Sequence, residues 1–201
     1  IKGIGGHGAA PQGTVDAIVV GSQLVGAFQT IVSRNTNPID SAVVTIGKFQ
    51  SGNNFNIIAD TAELIGTIRA YKEEVRELIL NKMGDIISGT EKMFGATIEM
   101  DYLKGYPPTV NAENTYEKLI SSARKIVGDN AKEPYLSMGA EDFSYYANEI
   151  PGCFFFVGSA HLDREPMSVP HHCSHFDIDE RALLVGSSIF VQLIEDLLEK
   201  A

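Results

Sequence analysis

The chain has 201 residues, 44% hydrophobic and 21% charged, a globular composition with length for one large core or two small ones. Its formal net charge of -10 argues against nucleic acid and anionic membranes as partners, because both reward clustered Lys and Arg. No apolar run is long enough to span a bilayer. Two cysteines, Cys153 and Cys173, fit neither a disulfide framework nor a paired-thiolate zinc motif, so the expected setting is reducing and cytoplasmic.

The chain opens Ile1-Lys2-Gly3-Ile4, with no methionine and no signal peptide, and reads as the interior of a strand. The expectation is a chain whose upstream half is missing. Gly5-Gly6-His7-Gly8-Ala9-Ala10-Pro11 follows, and its small residues leave the His7 imidazole uncovered and permit close approach of another backbone or a ligand. Thr14 is placed to cap a helix with Asp16 in its first turn, and Val15, Ile18, Val19, Val25, Phe28 and Val32 keep helical spacing. Pro38 ends that region. Ala42–Phe49 and Glu63–Tyr71 read as strands.

Lys72–Phe94 carries one apolar stripe (Val75, Leu78, Ile79, Met83, Ile86, Ile87, Met93, Phe94) opposite charge, and Gly95 stops this helix. Ala96–Leu103 supplies a further strand. Strand, helix, strand, strand, helix, strand is a split β-α-β arrangement, a four-stranded antiparallel sheet with two helices on one face. Two polar residues stand out in this half. Arg69 lies in an apolar strand and Asn56 thirteen positions earlier at a loop junction; an arginine fork suits a planar carboxylate.

Gly105-Tyr106-Pro107-Pro108 breaks the pattern and sets the expected boundary between residues 1–104 and 105–201. A helix is expected over Glu113–Val127, with Tyr116, Leu119, Ile120 and Ile126 inward. In Ser137-Met138-Gly139-Ala140-Glu141-Asp142 the acids either complement a helix dipole or, with the Gly139 amide, face a ligand. Cys153–Val157 is a short continuous apolar run, as for a strand buried on both faces, and Ala182–Leu198 a closing amphipathic helix. Between them lies HHCSHFDIDE, residues 171–180, where three of the five histidines sit beside Asp177, Asp179 and Glu180. Imidazole beside carboxylate is the ligand chemistry of a transition-metal site.

GGHGAAP, NIIADTAELIGTIR, YPPTVN, SMGAEDFS and HHCSHFDIDE follow one another in this order. In that the chain resembles the aminoacylase, hippurate hydrolase and auxin-conjugate hydrolase family of metal-dependent amidohydrolases, from Gly5 to about Leu184. The resemblance implies a lid (dimerisation) domain over residues 1–104 and the C-terminal part of a zinc-peptidase-like α/β catalytic domain over 105–201. It implies that His7 stabilises the tetrahedral oxyanion, often in the partner subunit's active site, and that Asn56 and Arg69 bind the substrate carboxylate. His172, with His171 as runner-up, matches a ligand of a two-metal site holding zinc or manganese. Gly139 matches a glycine lining the substrate pocket, and Glu141 a nearby acid.

Gly8 stands where alanine is usual, Ala59 where proline is common, and Cys173-Ser174 where proline often occurs. The family's other metal ligands and its Glu-Glu pair have no counterpart in the chain, so the chain alone is expected to be inactive and to hold no metal pair. The activity implied for the parent protein is cleavage of N-acyl amino acids by a homodimer joined edge to edge through the lids. The rivals are a non-catalytic dimerising or regulatory fragment and an exopeptidase acting on short peptides.

Overall fold

A computed structural model describes residues 1–133, 136–163, 169 and 171–199 of the chain. It divides into two compact units, Ile1–Gly105 and Tyr106–Ala201.

In the first unit the elements run β1 (Gly6–His7), α1 (Ala17–Thr30), β2 (Ala42–Ser51), β3 (Ile57–Ile58), β4 (Ala62–Ala70) and α2 (Glu73–Phe94). β2 and β4 form the long antiparallel ladder, from Ala42 opposite Ala70 to Ser51 opposite Ala62, with a bulge between Ile46 and Lys48. β1 pairs antiparallel with β3, and single bridges join Lys2 to Thr61 and to Thr97. The lateral order is therefore β2, β4, the N-terminal segment, then Thr97: the expected four-stranded arrangement with its far side reduced to bridges. The strand expected over Ala96–Leu103 shrinks to Thr97, whose N–H and C=O both pair with Lys2. Beyond it the Ile98 N–H is taken by the Glu91 carboxylate rather than by a ladder.

The core of this unit gathers Leu24, Phe28 and Ile31 from the first helical region, Val44 from β2, and Val75, Ile79 and Met83 from α2. α1 presents a different face from the one its spacing suggests. Ala17, Val20, Gly21, Leu24 and Phe28 are buried, whereas Ile18 and Val19 are 42% and 48% exposed. The cap also moves. Asp16, not Thr14, accepts from the Ile18 and Val19 amides, while the Thr14 hydroxyl donates to the Pro11 carbonyl. α2 ends as its sequence dictates, at Gly95 with φ 73.

The second unit contains α3 (Glu113–Val127), α4 (Phe143–Glu149) and α5 (Arg181–Leu198). α3 and α5 pack through Leu119, Ala123 and Ile189, with Cys153, Phe155 and Leu193 alongside. Asp196 on α5 accepts from Ser122 Oγ (2.6 Å) and Lys125 Nζ (2.5 Å), both on α3. These donors hold its carboxyl at about 2, against an ordinary 3.8. Cys153–Val157 forms no strand and joins no ladder among the described residues, and Phe156 is 61% exposed. That corrects the expectation of a strand buried on both faces.

Candidate functional site

His7 stands at the end of β1, opposite Ile57. Its Nδ1 accepts the Ala9 backbone N–H at 3.1 Å. A ring nitrogen that accepts carries no proton, so neutral His7 keeps its hydrogen on Nε2, a donor not engaged by any described residue. The next residue brings Asn56 alongside, because the Gly8 N–H donates to the Asn56 carbonyl at 2.8 Å. A Cβ on residue 8 would lie 3.0 Å from that oxygen, which is why a glycine fits there. The small residues of the His7 motif thus place the imidazole and Asn56 on one loop end, both exposed.

Arg69 lies near the other end of the β2–β4 ladder, opposite Val43. Val44, Leu64 and Ile68 face the helices and the core, so the period-two alternation puts Arg69 on the sheet face away from them. Among the described residues its guanidinium has no ion pair or hydrogen bond. Residues 1–7 run antiparallel to the segment from Ile57 to Ala62, and β4 then continues the opposite way to Arg69. After a bend at Asp60, the strand from Ala62 to Arg69 alone spans on the order of 20 Å, at about 3.3 Å per residue, and carries Arg69 away from the Asn56 end. Within one chain the two do not converge on one carboxylate. Sequence spacing alone gave no sign of this, because the thirteen residues could have folded back.

In the second unit His172 has φ 62, a left-handed conformation in which histidine is enriched but uncommon, and the His171 ring lies against Phe176 at 4.8 Å. Two of the acids that follow, Asp177 and Asp179, are already engaged. Asp179 is clasped by the Arg181 guanidinium and accepts the Arg181 N–H, which pulls its carboxyl down to about 2. Asp177 Oδ2 lies 3.4 Å from His161 Nε2. His161 is the neighbour that sequence reasoning did not place, since ten positions separate it from the histidine cluster. No three His, Cys, Asp or Glu side chains among the described residues are placed to hold a metal ion. One candidate ligand, His172 or its alternative His171, does not make a two-metal site, so the residues present do not by themselves fit one.

Gly139 and Glu141 precede α4. The Gly139 N–H donates to Ser137 Oγ at 3.1 Å, and the Glu141 carboxylate accepts the Phe143 N–H at 3.2 Å while its carbonyl accepts from Ser144 Oγ at 2.7 Å. Of the two readings of this stretch, the local helix-start role is the one these bonds make. The open hollow between Thr45, Gly47, Lys48, Ile65, Gly66 and Thr67 on the sheet face, about 230 Å³, carries no convergent polar groups of the kind a ligand site needs.

Residues 4–196 match the family model of Peptidase family M20/M25/M40. The chain belongs to that family. Among its relatives, the Bacillus subtilis protein YhaA is 42% identical over 191 residues, 94% of this chain and 48% of that protein. N-acetylcysteine deacetylase of the same organism is 34% identical over 99% of this chain and 50% of its own length. Thermostable carboxypeptidase 1 of Saccharolobus solfataricus is 38% identical over 93% and 47%. The solved structure of Bacillus subtilis YXEP, described as a dinuclear metal binding peptidase from the M20 family, superposes with a TM-score of 0.67 at 26% identity, over 99% of this chain and 49% of that one. The mixed α/β architecture is therefore that of M20 proteins, and the chain spans about half the length of the relatives it matches. M20 relatives include both amidohydrolases and peptidases by name.

Proposed function

We propose that this M20 chain serves a metal-dependent hydrolase that cleaves the amide bond of N-acyl amino acids. The observation that carries the reading is the His7 tautomer: Nδ1 is occupied by the Ala9 amide and Nε2 is left as an outward donor. A donor preset toward charge that appears only in the transition state lowers the barrier, by about 3 kcal/mol in comparable sites. Arg69, half-buried and without a protein partner among the described residues, supplies a carboxylate fork. His172, with His171 next to it, is the chain's ligand toward a divalent metal pair, zinc or manganese, and the remaining ligands must come from outside the described residues. When bound, such metals activate water and polarise the scissile carbonyl.

The distance between Asn56 and Arg69 supports a homodimer joined through residues 1–104. β2 pairs only with β4 among the described residues, so its outer edge is available over ten positions. Antiparallel pairing of two β2 edges reverses one ladder relative to the other. The Arg69 end of one copy then comes level with the His7 and Asn56 end of its partner. Two thiols, Cys153 and Cys173, both free, support a reducing, cytoplasmic setting.

Thermostable carboxypeptidase 1 favours an exopeptidase as the second reading, with the same carboxylate requirement. Hydrolysis of N-acetyl amino acids and of dipeptides by a completed enzyme, this chain joined to the remaining half of the family length, separates the two. Cleavage of neither would favour the non-catalytic fragment. In that enzyme Arg69→Ala is expected to raise KM about 10- to 100-fold for carboxylate-bearing substrates with little change in kcat, as loss of a charge-assisted contact implies. Unchanged KM would remove the assignment.

A further inference from the structure

The loop end that carries His7 and Asn56 also carries an aromatic ring that the described residues leave uncovered. Asn54–Ile57 is a β-turn closed by the Ile57 N–H, which donates to the Asn54 carbonyl at 3.3 Å. Phe55 and Asn56 are its two corner residues. The turn is pinned on both sides. Asn54 Oδ1 accepts the Phe55 N–H at 2.9 Å, and the Asn56 carbonyl accepts the Gly8 N–H at 2.8 Å. Ile57 then stands opposite His7 in the β1–β3 pair. The Phe55 backbone is thus fixed beside His7, yet its side chain is 99% exposed. The residues that lead into the turn, Gly52, Asn53 and Asn54, are the small and polar types that suit a loop tip in water. A lone exposed apolar residue needs no explanation by itself. What singles out Phe55 is its place, one residue from Asn56 on a turn clamped against His7.

We propose that Phe55 is a specificity-determining residue whose ring covers an apolar side chain on the amino-acid half of the substrate. The proposal rests on the reading of His7 and Asn56 given above. Along an N-acyl amino acid the order is acyl group, scissile carbonyl, amide nitrogen, α-carbon with its side chain, and carboxylate. His7 addresses the carbonyl, and Asn56 with the partner's Arg69 addresses the carboxylate. The side chain leaves the carbon between those two groups. A ring next to Asn56, on a turn beside His7, therefore meets that side chain rather than the acyl group. Phenyl supplies a large apolar contact and no hydrogen-bonding group, so it favours leucine- and phenylalanine-like substrates over glycine. Because the backbone of the turn is already held, ordering the ring on a substrate costs little.

The test is steady-state hydrolysis by an enzyme completed by joining this chain to the remaining half of the family length. Its substrates are N-acetylglycine, N-acetyl-leucine, N-acetylphenylalanine and N-benzoylglycine. Phe55→Ala is expected to lower the preference for N-acetyl-leucine and N-acetylphenylalanine over N-acetylglycine about 10-fold, as a ratio of kcat/KM values and mainly through KM. Phe55→Leu should recover most of that preference. A side chain 99% exposed supports no core, so an unchanged Tm checks that the variants fold. An unaltered preference in Phe55→Ala would overturn the proposal, and so would equal losses on all four substrates. A loss that follows N-benzoylglycine instead of the leucine and phenylalanine substrates would assign the ring to the acyl group, and would also overturn it. His7→Ala separates this proposal from the reading beneath it. A large fall in kcat with His7→Ala and no effect of Phe55→Ala removes the specificity role alone. Unchanged kcat with His7→Ala, or no hydrolysis of any of the four by the unsubstituted enzyme, removes the underlying reading and this proposal with it.

Discussion

The two units bury apolar surface in different ways. Residues 1–105 close a core of seven buried side chains drawn from two helical regions and a strand. Residues 106–201 bury three, Leu119, Ala123 and Ile189, between two helices. Both stretches are comparably apolar in sequence, so the contrast comes from what each finds to pack against. In the first unit both helices lie on one face of a β ladder, and the strands supply the opposing surface. In the second, the segment Cys153–Val157 joins no ladder among the described residues, and α5 leaves Leu183, Leu184, Val191 and Ile194 more than half exposed. The first unit is built as a sheet with helices packed on it, and the second as helices packed on each other.

The largest effect that would break this comparison is Ile79→Ala. Ile79 is fully buried at the centre of the first core, and its truncation should cost about 3–4 kcal/mol on chemical denaturation. Ile189→Ala in the second unit should cost about half as much, and equal losses would mean that the second core is as complete as the first.

Gly66→Ala comes next. A Cβ there would sit 2.2 Å from the Thr45 carbonyl oxygen, which belongs to the β2 backbone and cannot swing aside. The expected loss is about 2 kcal/mol, confined to the first unit, read as faster amide exchange along β2 and β4.

The smallest effect sharpens the second unit. Asp196 is held ionised by Ser122 and Lys125, and a carboxyl lowered to about 2 stabilises the fold fully above 3.8. That contribution drains away as pH falls from 3.8 toward 2. Asp196→Asn should lower Tm slightly at neutral pH and flatten its fall over that interval, and an unaltered acid profile would contradict the role given to the α3–α5 bridge.

Much of the first unit was legible because its signals are local. The stripe from Val75 to Met83 and the stop at Gly95 foretold α2, and the β-branched run foretold β2. The face of α1 was not legible, since Ile18 and Val19 keep the same spacing as a core pair; which stripe turned inward was settled by neighbours distant in sequence. Cys153–Val157 carried the apolar content of a buried strand, but a ladder needs a second strand, and composition cannot say whether one is present. At the site, His7 and its glycines could be read, because uncovering a side chain is a local property. The separation of Asn56 from Arg69, and the approach of His161 to Asp177, depended on contacts that spacing does not encode.

The most direct test of the account is metal content of the 201-residue chain after dialysis against zinc and against manganese. One ligating histidine, His172 or its alternative His171, lies here, and the rest of a dinuclear site would lie outside the described residues. Little or no metal should therefore remain, less than one equivalent per chain. Two tightly held equivalents would contradict it, because the chain would then have to complete the site from its own His161, His171, His172 and His175 and their neighbouring acids.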